Sequence, residues 1–195
     1  NFFVNFASYM KPDKLRELHD LGFTVCNHTW NHTDMMNFTY AQALDAIGTN
    51  HNWILSQGFP APKILVYPGG HYNDEVIRAA TDLGYVIART AGKRSLRSTP
   101  AYGLENPYRL GSFDTGGQTY DTIRNAIRAG LADAGSELMW LYGHQVTPGN
   151  PATNAAAPGD TNLWYAGWYR QLLLQVGQWV ASGLIRPMSG QDLVD

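Results

Sequence analysis

What most constrains this chain is an alternation. Short apolar, β-prone runs recur along it, each followed by a stretch with helical apolar spacing, several of which close on a glycine. Phe2–Asn5 is the first such run. Pro12–Leu21 then carries Leu15, Leu18 and Leu21 on one helical face, with Gly22 in a C-cap position. Phe23–Asn27 reads as a strand and Thr39–Gln57 as a long helix, weakened by Gly48 and stopped by Gly58. Ile64–Tyr67 is the next strand. Asn73 can cap a helix bearing Val76, Ile77, Ala80 and Leu83, closed by Gly84, and Tyr85–Ala88 is again a strand. After an irregular connection over 92–106, the pattern predicts a strand at Tyr108–Phe113, a helix at Tyr120–Leu131 and a strand at Leu138–Tyr142. A loop over Thr147–Thr161, a helix at Trp164–Ala181 and a short strand at Ile185–Met188 follow. Seven short strands alternating with about five or six helices imply a parallel sheet with helical crossovers. An open doubly wound sheet and a closed β/α barrel both satisfy that pattern. No internal repeat and no domain boundary interrupts it, so residues 1–195 read as a single domain.

Composition narrows the function classes. Fourteen Lys plus Arg against sixteen Asp plus Glu give a net charge of −2, which excludes a nucleic-acid partner held by clustered positive charge. No apolar run is long enough to insert in a membrane. Cys26 is the sole cysteine, so there is no intrachain disulfide framework. Six Trp and eleven Tyr suit a surface that stacks on sugar rings, and an aromatic core accounts for them equally well. The chain opens without an initiator Met or signal peptide, directly on strand-like residues, so the expectation is a fragment whose upstream part is missing.

Three polar clusters each follow a predicted strand. Asn27-His28-Thr29-Trp30-Asn31-His32 places two imidazoles four residues apart, which converge on one metal if the segment turns helically, and Zn²⁺ is the default for neutral nitrogen ligands. A pair of hydrogen-bonding surface histidines is the plainer alternative. Tyr67-Pro68-Gly69-Gly70-His71-Tyr72-Asn73 lets backbone N–H groups approach a ligand and hold an oxyanion, or simply turns the chain into the next helix. His71 reads as an exposed loop histidine rather than a third ligand. Leu141-Tyr142-Gly143-His144 places a histidine where a general acid would sit, or where a ring packs against Trp140. A parallel sheet or barrel brings the C-terminal ends of all its strands to one face, which is where such folds build sites.

In this order the clusters resemble the polysaccharide deacetylases of the NodB-homology type, carbohydrate esterase family 4, over essentially the whole chain. The resemblance implies a distorted (β/α) barrel, a metal-dependent hydrolase that removes N-acetyl or O-acetyl groups from a polysaccharide, and one divalent metal, usually Zn²⁺. It assigns His28 and His32 as metal ligands, Thr29 as the hydroxyl residue bracing their loop, and His144 as general acid. Tyr67, Pro68, Gly69 and Gly70 match the substrate-groove and oxyanion element, and Arg109 a supporting arginine. The implied partner is an acetylated polysaccharide or oligosaccharide, and the implied location is extracytoplasmic: secreted, cell-surface or virion-associated.

The chain also departs from that family. The strand ending in two aspartates, one a catalytic base and one a metal ligand, should precede Phe2, and its absence is read as an apparently missing first strand. Asp34 and Asp114 are the nearest replacement carboxylates, and neither follows the family pattern. The alternative is a non-catalytic glycan-binding or structural deacetylase-like domain in a larger assembly that supplies the missing segment.

Overall fold

The computed structural model describes residues 2–4, 11–91, 106–132, 140–148 and 163–194. The chain divides into two compact units, one of residues 1–91, 106–110 and 188–195, the other of residues 92–105 and 111–187.

The first unit is a run of strand–helix repeats. Strands β1 (Phe2–Val4), β2 (Val25–Asn27), β3 (Ile64–Val66) and β4 (Ile87–Arg89) form one parallel sheet in the order β1-β2-β3-β4. Its register sets Phe3 beside Cys26, Asn27 beside Leu65, and Leu65 beside Ala88. The order follows the sequence with no reversal, so no switch point of the doubly wound kind lies within it. β2, β3 and β4 are buried at every position, as expected of parallel strands covered on both faces.

The helices α1 (Pro12–Asp20), α2 (Tyr40–Ser56) and α3 (Asp74–Asp82) form the crossovers. Pro12 opens α1, where its fixed φ and missing N–H cost nothing. Thr39 and Gln42 make a capping box on α2: the Gln42 N–H donates to Thr39 Oγ1 and the Thr39 N–H to Gln42 Oε1 at 2.9 Å. That cap and the buried stripe Ala43, Ile47, Asn50 and Ile54 carry the helix through Gly48, whose interior position costs about 1 kcal/mol against alanine. The core packs Met35, Ala43 and Ile47 against Leu65, Tyr67, Val76, Ala79, Tyr85 and Ala88, and a second cluster joins Leu15, Val25, Ile54 and Phe59.

In the second unit, β5 (Phe113–Asp114) pairs in parallel with β6 (Leu141–Tyr142), and β7 (Gln145–Thr147) with β8 (Leu163–Tyr165). Helices α4 (Tyr120–Ala132) and α5 (Ala166–Ala181) pack through Ile123, Ile127, Leu172 and Trp179. Trp164 is buried in this cluster and Trp168 packs against it, which settles both as core residues.

The structure corrects the sequence reading at several points. Among the described residues the first unit holds one four-stranded parallel sheet and the second unit two separate strand pairs. The strand expected at Tyr108–Phe113 is replaced by a 3-10 turn at Pro107–Arg109, a single bridge from Leu110 to Arg89, and the short β5. Pro107 has no ladder N–H, and Asn106 Oδ1 accepts the Tyr108 N–H at 2.9 Å, which starts the turn. No strand forms at Ile185–Met188, where Pro187 removes another donor. The helix expected from Trp164 begins at Ala166, because the preceding aromatic pair is taken into β8. Residues 138–139 and most of the 147–161 loop lie outside the described residues. No helix among those described is long and apolar enough to cross a membrane.

Candidate functional site

The segment after β2 leaves the sheet in a constrained conformation. Thr29 has φ 60° and His32 φ 55°, both in the left-handed region. For a β-branched threonine this is a strained position that persists only where surroundings enforce it. The Thr29 side chain is fully buried, and the Thr29 N–H donates to Asn27 Oδ1 at 2.7 Å, which fixes the peptide leading into it. Its hydroxyl has no hydrogen-bond partner among the described residues, so the bracing bond runs through the Thr29 backbone.

That conformation brings the two loop histidines together. The rings of His28 and His32 lie 4.7 Å apart between centroids and nearly perpendicular, at 84°. His28 Nδ1 sits 2.8 Å from the Val66 carbonyl oxygen. A carbonyl only accepts, so Nδ1 carries a proton, and in the neutral ring Nε2 is the nitrogen with the lone pair. This is the outer support that ligating histidines ordinarily have, and the donor chemistry fits a divalent metal of the zinc type. Among the described residues no group of three His, Cys, Asp or Glu side chains assembles, and the pair would supply two of the ligands such an ion needs.

The Tyr67–Gly70 segment lies next along the sheet, after β3. Tyr67 is buried, donates its hydroxyl to the Tyr108 carbonyl at 3.1 Å, and stacks on Tyr72 at 4.8 Å. Burial pushes the Tyr67 phenol well above its usual range, so it stays neutral. Pro68–Gly70 form a 3-10 turn in which Gly69 and Gly70 have φ 61° and 78°. Beyond it, Met36, Gly70, His71, Tyr72, Asn73, Asp74 and Arg109 line an open cleft of about 430 Å³. Arg109 is exposed, pairs with Asp74 at 3.2 Å and lies over the Tyr72 ring at 5.7 Å. Asn73 caps α3 by accepting the Val76 N–H, and its amide donates to the Met36 and Phe38 carbonyls, tying the loop after His32 to this helix.

His71 is exposed and 2.7 Å from Asp34. The Met36 N–H and His71 together hold the Asp34 carboxyl below the usual carboxylate range. Asp114, in the second unit, accepts the Gly116 N–H at 2.8 Å. Among the described residues neither aspartate joins a group of three potential ligands. His144 follows β6 in the second unit, exposed, with its ring edge-on to Tyr142 at 5.8 Å.

Sequence reasoning gave no role to the polar groups under this loop. Asn27 and Asn50 are fully buried, and Asn50 Nδ2 donates to Asn27 Oδ1 at 2.9 Å. Asn27 Nδ2 in turn donates to the Ile47 carbonyl and the Tyr85 hydroxyl, and His51 Nδ1 lies 3.1 Å from that hydroxyl. The available signal was Asn50, an amide on the apolar stripe of α2. Burial, helped by the Lys63 charge, holds the His51 imidazole below its ordinary pKa. The unfolded chain therefore takes up this proton first. His51 lowers stability as pH falls through about 6.5, with the loss levelling off below the folded pKa. Urea midpoints at pH 7.5 and 5.5 should differ by less in His51→Gln than in the parent.

Comparison with known proteins covers less of the chain than the resemblance does, and leaves Arg109 and His144 outside the matched residues. The sequence profile of the polysaccharide deacetylase family matches residues 1–88. Over these residues the chain is similar to the polysaccharide deacetylases. The matched segment contains β1 to β3, the His28–His32 loop and the Tyr67–Gly70 turn. No curated protein matches the chain. A polysaccharide deacetylase from Bacillus cereus superposes with a TM-score of 0.50 at 18% identity, over 60% of this chain and 36% of that one, which shows the fold. A Streptococcus pyogenes deacetylase in complex with acetate matches at 21% identity and TM-score 0.48, over 55% of this chain and 45% of its own. A family 4 carbohydrate esterase from Streptomyces lividans in complex with acetate matches at 21% and 0.46, over 67% and 56%. The chain thus spans about half the length of these last two.

Proposed function

We propose that this chain carries the site of a metal-dependent hydrolase that removes N-acetyl or O-acetyl groups from a polysaccharide outside the cytoplasm. The observation that supports this reading best is the His28–Val66 hydrogen bond, which leaves Nε2 of His28 unprotonated beside the His32 ring, inside a deacetylase-family segment. His28 and His32 would hold the ion. When bound, a divalent ion supplies Lewis-acid polarisation of the acetyl carbonyl and an activated water. The chain's own groups do the rest. The Gly69 N–H donates to the developing oxyanion, Tyr67 and Pro68 shape the groove beside it, and Gly70 sets the turn. Arg109 supports that wall through Asp74 and Tyr72. His144 takes the role of proton donor to the leaving amine by its place in the sequence.

Acetate release from N-acetylated oligosaccharides, with zinc present, tests the reading. His144→Ala should lower kcat by about 10²–10⁴, the usual worth of a positioned general acid. Zinc content should be unchanged, and the loss should shrink on an aryl acetate, whose leaving group needs little protonation. Stoichiometric zinc without acetate release from any acetylated glycan would favour the non-catalytic glycan-binding reading instead.

A further inference from the structure

We infer that Asn27 is a positioning residue, whose side-chain oxygen holds the peptide between His28 and Thr29 and so sets His28 beside His32, toward one ion. The inference rests on the metal-site reading above, and it adds a residue to which neither the resemblance nor the motif gave a role.

The amide of Asn27 is oriented without ambiguity. The Thr29 N–H can only donate and the Ile47 carbonyl can only accept, so Oδ1 faces Thr29 and Nδ2 faces Ile47. Every contact of this side chain is buried, and each has a defined partner. Oδ1 accepts from Thr29 and from Asn50 Nδ2, and Nδ2 donates to Ile47 and to the Tyr85 hydroxyl. The network reaches α2 through Ile47 and Asn50 and the start of the next strand segment through Tyr85. Asn27 is also fixed in the sheet, beside Leu65 of β3. The residue that holds the loop is therefore anchored on a strand and a helix.

That bond closes a ring from the Asn27 side chain to the peptide between His28 and Thr29, so it fixes the backbone of His28. The turn toward His32 is made at the next residue, where Thr29 at φ 60° costs about 1–2 kcal/mol. The Thr29 hydroxyl adds no restraint, since it makes no hydrogen bond among the described residues. Releasing the His28–Thr29 peptide therefore frees the stretch of chain that carries both histidines.

Hydrogen exchange of the Thr29 amide and direct zinc titration of the full chain test this together. In Asn27→Ala, Thr29 exchange should speed by at least about 10-fold more than that of the Leu65 amide. Zinc should bind about 10–100-fold more weakly, the size expected for loss of an outer support. Tyr85→Phe is the structural control: it removes a buried partner of Asn27 Nδ2 but leaves the Oδ1 bond. It should lower stability while zinc affinity and relative Thr29 exchange stay within about twofold. Asn27→Asp keeps the acceptor and should retain Thr29 protection. If Asn27→Ala does not fold, Asn27→Val, which has no acceptor for the Thr29 N–H, takes its place. Unchanged Thr29 exchange in the variant without the acceptor, or equal zinc loss in Tyr85→Phe, overturns the assignment. If the parent chain binds no zinc, the metal reading falls and the inference falls with it, while the exchange measurement still reports whether Asn27 holds the loop.

Discussion

Replacing either His28 or His32 by alanine is expected to weaken zinc binding by at least about 100-fold, more than the 10–100-fold that loss of an outer support costs. Each ring supplies one of only two imidazole donors in the loop, and the two are in edge-to-face contact at 4.7 Å. Removing one leaves a single neutral nitrogen, which does not retain a divalent ion against a competing chelator. His71→Ala should leave zinc binding within about threefold, because His71 points its Nδ1 to Asp34 and joins no three-residue ligand group. Titration against a chelating indicator reads both. Equal losses in all three variants would mean that zinc binds to scattered surface histidines.

Gly70→Ala should be the most damaging small substitution in the first unit. A Cβ at Gly70 would collide with the Ala91 backbone nitrogen and lie 2.6 Å from the Ala91 Cβ, with φ at +78°. Both obstacles are at or next to backbone, so a flexible side chain cannot move aside. A loss of about 3–5 kcal/mol follows, in the range reserved for overpacking with backbone strain. Gly69→Ala makes the contrast. Its Cβ would approach His71 Nδ1 at an ordinary 3.4 Å, leaving only the cost of φ +61°, about 1–2 kcal/mol. Urea unfolding of the two variants should separate them clearly. Similar midpoints would show that the turn relaxes away from Ala91.

The contrast between the two glycines shows what the sequence could and could not tell. Pro68-Gly69-Gly70 was legible as a turn with exposed backbone, because two glycines after a proline have few other uses. Which glycine was indispensable depended on Ala91, a residue distant in sequence. The helices were legible through their caps: Thr39 with Gln42, and Asn73, mark their starts in sequence and in structure alike. The three buried strands β2, β3 and β4 were legible as apolar runs. Their ends shifted by one or two residues because hydrogen-bond register, not hydropathy, decides where pairing stops. Pro107 misled the reading of the following segment, since Tyr108–Phe113 looks β-prone until the turn enforced by Asn106 and Pro107 is weighed. The paired β7 and β8 escaped notice because Trp164 and Tyr165 also fit the periodicity of the helix that follows. At the site, the two histidines were legible from spacing and from the strand before them. The polar support beneath them was not, since Asn27, Asn50, His51 and Tyr85 come from two strand regions and one helix that only the fold brings together.

The measurement that meets the central claim most directly is nitrogen-15 NMR of the histidine rings during zinc addition to the full chain. The account predicts that His28 is the tautomer protonated at Nδ1 before metal is added, because Val66 accepts that proton. One equivalent of zinc should then shift Nε2 of His28 and the ring nitrogens of His32 together, and leave His19, His51, His71 and His144 in place. A His28 ring protonated at Nε2, or zinc shifts that fall on His71 or His144 and spare the His28–His32 pair, would contradict it.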